Sequence, residues 1–318
     1  MDFIYNKIFL EHDTGEHPEN RKRLELFSEI KETRVESGEA YLGLFHTEDY
    51  IKSVREGCKT LSFLDPDTAV SEKSYEVAVY AVGATIMASK TNDFALVRPP
   101  GHHAHPSYSS GFCIFNNISI ATKKLVNEGK RVLIFDFDAH LGDGTLEFFY
   151  RDDMVLYLSL HQYPAFPGGG VVDDIGEGSG RGYTINVPLP AGSGDDVYMD
   201  AVGRIMPIAK QFKPDVVAVS AGFDAHKNDP LVDLRLSMGA YYKLGRIVSK
   251  NFRNIFATLE GGYNLRVFPY CVLNFVDGIN NRGIRFKEEQ TVSSKWVKEE
   301  YLTRINRLEK KMSEFWKL

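Results

Sequence analysis

The 318-residue sequence contains little cysteine and no long apolar segment. Its three cysteines, Cys58, Cys113 and Cys271, are widely spaced and form no C-x-x-C pair. This spacing argues against a disulfide framework and against a thiolate zinc site. No apolar run approaches the ~20 residues that a membrane helix requires, and the first residues lack the basic start and apolar core of a signal peptide. We therefore expect a cytoplasmic protein without a membrane partner.

The sequence also lacks an excess of positive charge. It contains 38 lysines and arginines and 43 aspartates and glutamates, which give a formal net charge of −5 at pH 7. Because the two signs are interspersed, no basic face favours a nucleic acid partner. Hydrophobic residues make up 43% of the chain and charged residues 25%, which is ordinary for a soluble globular protein.

Short apolar runs rich in β-branched residues recur through the middle of the chain. Most are continuous rather than alternating, as expected of strands that are covered on both faces of a parallel sheet. The runs are FALV from 94, RVLIF from 131, MVLYLSL from 154, YTINVPL from 183, DVVAVSA from 215 and IFATLEGG from 255. Helix-like stretches lie between many of these runs, at 72–90, 116–129, 195–211 and 237–251. The alternation predicts a single α/β domain with a mainly parallel sheet flanked by helices.

The end of the chain differs from the segments before it, because it is charged and helix-prone. Apolar residues recur there at intervals of three and four, the spacing of one helix face, at Tyr301, Ile305, Leu308, Met312 and Phe315. We expect a main domain over residues 1–285 and a C-terminal helical extension over 286–318. The extension either packs on its own domain or forms a seam between the subunits of a homo-oligomer.

Polar side chains follow the apolar runs at the point where each predicted strand ends. The stretch IFDFDAHLGD at 134–143 passes from apolar residues directly into Asp136, Asp138, His140 and Asp143. An uncompensated carboxylate in an apolar interior costs several kcal/mol, so this cluster requires a balancing charge. Because ligands of open α/β sheets bind beyond the carboxyl ends of the strands, we expect distant segments to converge on one crevice there.

Three of these polar residues have the chemistry of a catalytic metal site. Residues two apart in an extended segment face the same way, so Asp138 and His140 can present their side chains together. Asp224, isolated in SAGFDAH after another predicted strand, is the natural third ligand. Carboxylate oxygens and imidazole nitrogens suit Zn²⁺, although Fe²⁺ and Mn²⁺ fit the same ligand types. A catalytic zinc ion with three protein ligands leaves a position for water.

Two adjacent histidines, His102 and His103 in RPPGHHAHPSYSSGF, follow the first run. Beside a metal ion, an imidazole could take a proton from water and later deliver it to a leaving group. Each imidazole needs an acceptor to orient it, and Asp136 and Asp143 are the carboxylates that the metal does not use. His105 of the same stretch lies beside a proline and has no evident partner, so no role is predicted for it.

Tyr263 follows two glycines in LEGGYN, after the last run. Glycines allow the backbone to approach a crowded site and can turn the tyrosine side chain inward. A phenol opposite a metal ion would donate a hydrogen bond to the oxyanion of a tetrahedral intermediate. We therefore predict that Tyr263 is a catalytic residue, whereas an ordinary turn after a strand would explain a tyrosine found alone.

The sequence resembles the histone deacetylase superfamily in five ordered segments, RPPGHHAHPSYSSGFCIFNN, IFDFDAHLGDGT, SLHQYPAFPG, SAGFDAHKNDPL and LEGGYN. These segments are most similar to the class II branch and to the bacterial and archaeal deacetylase-like amidohydrolases, which are related to acetylpolyamine amidohydrolases. The resemblance covers about residues 12 to 265. It implies an arginase-deacetylase fold and zinc-dependent hydrolysis of the amide of an acetylated or short-acylated, lysine-like amine.

The resemblance also implies a role for each matching residue of the site. Zinc would bind the same three ligands, His103 would be the general base and acid, and His102 would support it electrostatically. Tyr263 would polarise the scissile carbonyl. A structural monovalent cation, usually K⁺, would bind side chains and backbone carbonyls of two segments, namely Asp136, Asp138, His140, Ser159 and Leu160.

The substrate channel is likewise implied by the resemblance. Phe112 and Phe166 match two aromatic residues that flank the alkyl stem of the substrate, and Arg23 in HPENRKRL matches an arginine in the floor of the site. Leu231 follows the D-P dipeptide, where one branch of polyamine deacetylases has an acidic residue. Other polyamine enzymes place the acid in a long early loop, which the two aspartates of LDPDTA at 64–69 could imitate.

The sequence departs from related families at three positions. Leu141 stands where many deacetylase relatives have a second histidine, and little effect on the chemistry is expected because the ligand His140 is retained. Gly142 and Gly222 stand where ureohydrolases of the same fold need further carboxylates to hold a second metal ion. A binuclear, arginase-like enzyme is therefore disfavoured.

Three functions are compatible with these features. The favoured one is a mononuclear, metal-dependent amidohydrolase acting on acyl-lysine-type substrates, because Leu231 offers no recognition of a cationic amine. The second is an acetylpolyamine deacetylase that uses the same machinery. The third is a catalytically silent protein that binds an acylated amine, which is disfavoured because a binder needs no acid–base pair.

Overall fold

A computed structural model describes residues 1–60 and 63–318 of the chain. The described residues form a seven-stranded sheet in the order β1-β2-β7-β6-β3-β4-β5, and every pair of neighbouring strands is parallel. The strands are β1 Phe3–Ile4, β2 Phe94–Ala95, β3 Val132–Asp136, β4 Val155–Gln162, β5 Thr184–Leu189, β6 Val216–Ala221 and β7 Ile255–Leu259. The predicted single α/β domain with a mainly parallel sheet is confirmed.

Helices cover this sheet. They are α1 Lys22–Glu25, α2 Glu48–Thr60, α3 Ser74–Thr91, α4 Asn117–Asn127, α5 Asp143–Phe149, α6 Asp195–Phe212, α7 Met238–Asn251, α8 Phe268–Ile279 and α9 Lys295–Met312. Short 3₁₀ helices span Lys7–Leu10, Glu39–Leu44 and Gly178–Gly180. The four predicted helices correspond to α3, α4, α6 and α7, with ends that agree within two residues. Among the described residues, no helix combines the length and apolar character needed to cross a membrane.

All six apolar runs identified in the sequence contain a strand, from β2 to β7. Every residue of β3, β4, β5, β6 and β7 is buried, which explains why these runs are continuously apolar rather than alternating. The edge strand β1 was not predicted from the sequence. It contains only two residues, too few to show a periodic pattern.

The strand order places a crevice at the carboxyl ends of β3 and β6. The chain moves outward from β3 through β4 to β5, and then returns to pair β6 with the other side of β3. The last residue of β3, Asp136, lies opposite Ser159 of β4 and Ser220 of β6. Loops that leave β3 and β6 therefore begin side by side, at the reversal of strand order where open α/β sheets bind ligands.

The C-terminal helix α9 packs against α6 and β5 of its own chain. Its apolar face is buried at Tyr301, Ile305, Leu308 and Met312, whereas Phe315 beyond the helix is 37% exposed. The Tyr301 hydroxyl donates a hydrogen bond to Asp200 Oδ2 at 2.6 Å, and Trp316 Nε1 donates to the carbonyl of Gly182 at 2.8 Å. The division at residue 285 and a subunit interface at this helix stay predictions.

Candidate metal and active site

The three predicted metal ligands meet at the carboxyl ends of β3 and β6. Asp138, His140 and Asp224 are buried, and each offers a ligand atom within 4.8 Å of those of the other two. His140 Nδ1 lies 2.8 Å from Asp224 Oδ2 and 3.3 Å from Asp138 Oδ1. Two loops that are distant in the sequence therefore contribute to one compact set of oxygen and nitrogen donors.

Backbone N–H groups hold the two carboxylates in place. Asp138 Oδ2 accepts a hydrogen bond from Gly261 N at 2.8 Å, and Asp138 Oδ1 accepts one from His140 N at 2.9 Å. Asp224 Oδ1 accepts a hydrogen bond from Ala139 N at 2.8 Å. Each carboxylate therefore has one oxygen fixed by a neighbouring loop, which orients the group before any ion binds.

Two glycines allow the loops to close around these carboxylates. A Cβ atom at Gly222 would lie 2.0 Å from Asp138 Oδ2, and a Cβ atom at Gly261 would lie 2.7 Å from an oxygen of both Asp138 and Asp224. Contacts below 3.0 Å are essentially never made by real Cβ atoms. Position 222 consequently has no room for the carboxylate that a second metal ion would require.

The electrostatics of this set fit a bound cation. Burial would lower the pKa of His140, but its contacts with Asp138 and Asp224 outweigh that effect and raise the pKa to about 10. Burial raises the pKa of Asp224, and the negative charge of Asp138 raises it further. Two carboxylates and an imidazole must thus share protons here, and a divalent cation can replace those protons. The donor set matches the ligand types of zinc sites.

Each of the two adjacent histidines is paired with one of the two carboxylates that were predicted to orient them. His102 Nδ1 lies 3.1 Å from Asp136 Oδ2, and His103 Nδ1 lies 2.7 Å from Asp143 Oδ1. Since a carboxylate only accepts hydrogen bonds, Nδ1 of His103 donates and Nε2 remains free to exchange a proton. Burial, reinforced by neighbouring His102, lowers the pKa of His103 to about 4, which favours the neutral form of a base.

Glu260 holds the loop that carries the histidine pair, and sequence reasoning missed it. Its Oε2 accepts hydrogen bonds from Gly101 N at 2.7 Å and His102 N at 3.1 Å, and its Oε1 accepts one from Ser220 Oγ. Burial raises the pKa of this carboxyl to about 7. Glu260 is the first residue after β7, so the rule that polar residues follow strand ends could have identified it.

A pocket of about 250 Å³ opens beside the predicted metal ligands. Its lining comprises Asp67, His103, Gly111, Phe112, His140, Phe166, Leu231 and Tyr263. The Phe166 ring lies edge-on to His103 with centroids 5.2 Å apart, and Phe112 lies edge-on to Tyr263 at 5.7 Å. Phe166 and Leu231 are partly exposed, so they form the rim. The pocket thus has aromatic walls, with His103, His140 and Tyr263 in its lining and exposed side chains at its rim.

Arg23 lies behind this pocket rather than in its lining. The side chain is fully buried, and its guanidinium carbon lies 5.1 Å from the centroid of the Tyr263 ring. Nε donates to the Gly262 carbonyl at 2.7 Å, and Nη2 donates to the Glu260 carbonyl at 2.6 Å. Arg23 therefore supports the loop that carries Tyr263.

Asp229 fixes the same loop through backbone N–H groups, and it too was missed in the sequence. Its Oδ2 accepts hydrogen bonds from Tyr263 N at 2.7 Å and Asn264 N at 3.2 Å. Its Oδ1 accepts one from Leu231 N at 3.2 Å. The Asp229 carboxylate thus connects Leu231 at the pocket rim to the loop that carries Tyr263. The aspartate in NDPL was the available signal, since Asp side chains often bind backbone N–H groups in turns.

The two early aspartates of LDPDTA have different surroundings. Asp65 accepts hydrogen bonds from Ser109 Oγ at 2.6 Å and from Asp67 N at 2.8 Å, so it connects its own turn to the segment that contains Ser109. Asp67 instead lines the pocket. An acidic side chain therefore lines the same pocket as Leu231, at one of the two positions considered from the sequence.

The residues predicted for the monovalent cation surround the end of β3. Asp136 Oδ2 accepts a hydrogen bond from the Tyr157 hydroxyl at 3.1 Å in addition to its contact with His102. The Ser159 hydroxyl pairs with His161 Nδ1 at 2.9 Å, and Leu160 is fully buried. The cation site itself stays a prediction.

The expectation that His105 lacks a partner is wrong. His105 Nε2 lies 2.9 Å from Asp143 Oδ2, and its Nδ1 is hydrogen-bonded to Glu147 Oε2. Both partners lie on α5. The sequence around HHAHP did not indicate that this helix packs against the loop of His105. The residue therefore contacts the same carboxylate as His103.

Comparison with known proteins agrees with this geometry. The family model of the histone deacetylase domain matches residues 17–279. The chain is 36% identical to a probable deacetylase of Archaeoglobus fulgidus, over 93% of this chain and 91% of that protein. It is also 36% identical to the histone deacetylase-like amidohydrolase of Pseudomonas aeruginosa, over 70% of this chain and 62% of that protein. The crystal structure of the HDA15 HD domain superimposes with a TM-score of 0.89 and 30% identity, covering 99% of this chain and 94% of the other. The protein therefore belongs to the histone deacetylase family and has its arginase-deacetylase fold.

Proposed function

We propose that the protein is a metal-dependent deacetylase that hydrolyses the amide of an acetylated or short-acylated, lysine-like amine. The observation that carries this proposal is the convergence of one metal-ligand set, His103 and Tyr263 on a single pocket with aromatic walls. A protein that only bound an acylated amine would not need a paired base and a phenol donor beside a metal site.

The shape of the pocket suits the alkyl stem of such a substrate. The rings of Phe112 and Phe166 offer apolar walls to methylene groups, while the exposed rim at Leu231 leaves the charged or polar body of the substrate outside. The amide would then lie at the inner end of the pocket, beside His103, His140 and Tyr263.

Zn²⁺, held by Asp138, His140 and Asp224, would polarise the amide carbonyl and water as a Lewis acid. Fe²⁺ suits the same donors. His103, with Nδ1 fixed by Asp143, presents Nε2 to accept the proton of the attacking water. The same nitrogen then delivers the proton to the departing amine. The chain therefore provides one base that also acts as the acid.

Tyr263 is proposed to stabilise the oxyanion. Burial raises the pKa of its phenol well above the ordinary value, even though nearby Arg23 lowers it, so the hydroxyl remains protonated at neutral pH and can donate a hydrogen bond. The edge-on contact with Phe112 and the backbone contact with Asp229 restrict its position. We also propose a structural K⁺ beside Asp136 and Ser159, on the basis of the family resemblance alone.

Replacement of Tyr263 by phenylalanine tests the oxyanion role. Because loss of one oxyanion donor typically costs about 10²–10³ in kcat, we expect a loss of that order with unchanged metal content. Metal content is measured by elemental analysis of the purified variant. Turnover is measured with an acetyl-lysine peptide as substrate. A variant as active as the parent would show that the phenol has no such role.

An acetylpolyamine is the second candidate substrate, because Asp67 lines the pocket and would attract a cationic amine. Leu231 at the rim carries no charge and favours acyl-lysine substrates. Activity should therefore be compared on acetyl-lysine peptides, acetylputrescine and acetylspermidine, in the parent and in Asp67→Asn. Faster cleavage of the peptides supports the first proposal, and cleavage of the small amines alone, lost in Asp67→Asn, would replace it with the second. Binding without turnover of any of these amides would refute both.

A further inference from the structure

A continuous series of side chains connects the proposed base to the protein surface. His103 pairs with Oδ1 of Asp143, and Oδ2 of the same carboxylate pairs with His105 Nε2 at 2.9 Å. The other ring nitrogen of His105 is hydrogen-bonded to Glu147, whose side chain is 57% exposed. Asp143 and Glu147 lie one turn apart on α5, so both carboxylates face the buried His105 ring.

The partners of His105 define its protonation. Carboxylates accept hydrogen bonds and do not donate them, so two carboxylate partners require a proton on both ring nitrogens. Burial, the largest single effect, would lower the pKa of His105. The hydrogen bonds and charges of Asp143 and Glu147 together outweigh burial and raise the pKa above its ordinary value. His105 is therefore an imidazolium held between two anions.

The remaining contacts of His105 fix its ring without adding another charge. The Tyr108 ring stacks on it with centroids 4.1 Å apart and an angle of 14°. Its backbone N donates to the Tyr108 carbonyl at 2.9 Å, and its carbonyl oxygen is 3.1 Å from His46 Nδ1. Burial lowers the pKa of His46 to about 3, so that imidazole is neutral and donates to the carbonyl. Within residues 1–60 and 63–318, the charged groups that contact the His105 ring are thus Asp143 and Glu147.

We propose that His105 is a positioning residue for the deacetylation reaction. Its hydrogen bond to one oxygen of Asp143 keeps the other oxygen oriented toward His103. Glu147 anchors His105 from the surface of α5. This inference rests on the proposed function, because it concerns the base of that reaction. His105 does not line the pocket, so it acts through Asp143 rather than on the substrate.

The charge of His105 has a second consequence for the base. An anion beside an imidazole stabilises the imidazolium, and a cation on the far side of that anion weakens the effect. Loss of the His105 charge would leave the full negative charge of Asp143 acting on His103. The acidic limb of the pH–rate profile should then move to higher pH, whereas a variant that was only less stable would lose amplitude without such a shift.

The test compares the metal-loaded parent with His105→Gln, Glu147→Gln and the double variant. Glutamine retains a hydrogen-bond donor of similar size but removes the charge at position 105. We expect His105→Gln to lower kcat about tenfold with KM changed less than twofold and the acidic limb moved upward by at least half a pH unit. Glu147→Gln should lower kcat and raise the acidic limb in the same direction but by less. It should change neither further in the double variant, because Glu147 acts only through His105.

Glu76→Gln is the matched control, since Glu76 on α3 is an exposed glutamate paired with Lys73 at 2.8 Å. It should leave kcat and the pH profile unchanged. A profile of His105→Gln that coincides with that of the parent would overturn the inference. The inference would also be overturned if Glu147→Gln lowered kcat by the same factor in the His105→Gln background as in the parent.

Histidine ring NMR gives a readout that does not depend on activity. In ¹⁵N-labelled parent protein, both ring nitrogens of His105 should remain protonated at pH 7, and Glu147→Gln should lower the pH at which the ring loses a proton. A neutral His105 ring at pH 7 would refute the proposal even in an active enzyme. If the parent cleaves none of the acetylated amines, the proposed function fails, whereas this NMR result still decides the state of His105.

Discussion

Replacement of Glu19 by glutamine should destabilise the fold strongly. Glu19 is a buried carboxylate between two fully buried arginines, Arg23 and Arg98. Arg98 Nε donates to Glu19 Oε1 at 2.5 Å and its Nη2 donates to Oε2 at 2.7 Å, which makes the pair bidentate. Arg23 Nη1 donates to Oε1 at 3.1 Å. One carboxylate therefore neutralises the guanidinium that lies beneath Tyr263.

The pKa of Glu19 gives the magnitude of this effect. Burial, the largest single effect, raises the pKa, but the charges and hydrogen bonds of Arg98 and then Arg23 outweigh it and lower the pKa from 4.5 to about 2. Each pKa unit corresponds to about 1.4 kcal/mol, so the difference is on the order of 3 kcal/mol. Removal of one partner of a buried ion pair typically costs about 3–5 kcal/mol because the other charge is left unpaired. We expect Glu19→Gln to lower the free energy of unfolding by about 3–5 kcal/mol.

The sign of the pH dependence follows from the lowered pKa. An acid whose pKa is lower in the folded state stabilises the fold above the pKa of the unfolded state. The contribution of Glu19 is therefore present above pH 4.5, and it is lost as the pH falls toward about 2. The difference in stability between the parent and Glu19→Gln should be full at pH 7 and should diminish below pH 4.

Urea denaturation followed by circular dichroism measures this difference, with Glu76→Gln as the control for an exposed glutamate in an ion pair. Exposed pairs contribute about 0–1 kcal/mol, so the control should remain close to the parent. If Glu19→Gln lost no more than the control at pH 7, the buried cluster would not be stabilised by this carboxylate and the reasoning would be wrong.

Three further predictions concern the site. Gly111→Ala should lower kcat at least tenfold without loss of metal, as measured by steady-state kinetics and elemental analysis, because Gly111 has φ +53° and a Cβ atom there would lie 2.6 Å from His103 Cδ2. Asp229→Ala should lower kcat about 10- to 100-fold at constant metal content, since the N–H groups of Tyr263 and Asn264 lose their acceptor. Chelation should abolish activity and lower the melting temperature, with restoration by Zn²⁺, because a ligand at about 1,000 times its Kd stabilises a fold by about 4 kcal/mol. Asp138→Ala should melt identically with and without chelator, and a difference would place the metal elsewhere.

The sheet could be predicted from the sequence because strands that are buried on both faces consist of continuous apolar residues. Continuous apolar runs such as VLIF at 132–135 are typical of covered parallel strands, and β3 to β7 are buried throughout. The two-residue strand β1 could not be recognised, since its pairing with β2 is set by the long-range fold rather than by local composition.

The converging side chains of the site were predictable for a similar reason. Parallel strands end at the same edge of a sheet, so polar residues that follow strands must meet there, as Asp138 and Asp224 do. The contacts that hold the loops follow no periodic pattern. His105 therefore looked solitary in the sequence, although its ring lies between Asp143 and Glu147 of a helix that begins after the next strand.

The site is built as a ring of loops in which each loop is held by a neighbour. Glu260 after β7 binds the loop of His102, and Gly261 N binds Asp138 after β3. Asp229 after β6 binds the loop of Tyr263. Because these contacts cross between loops, the position of each predicted catalytic group depends on residues outside the pocket lining. Substitution of Glu260 or Asp229 should therefore reduce kcat through misalignment while the predicted metal ligands themselves remain intact.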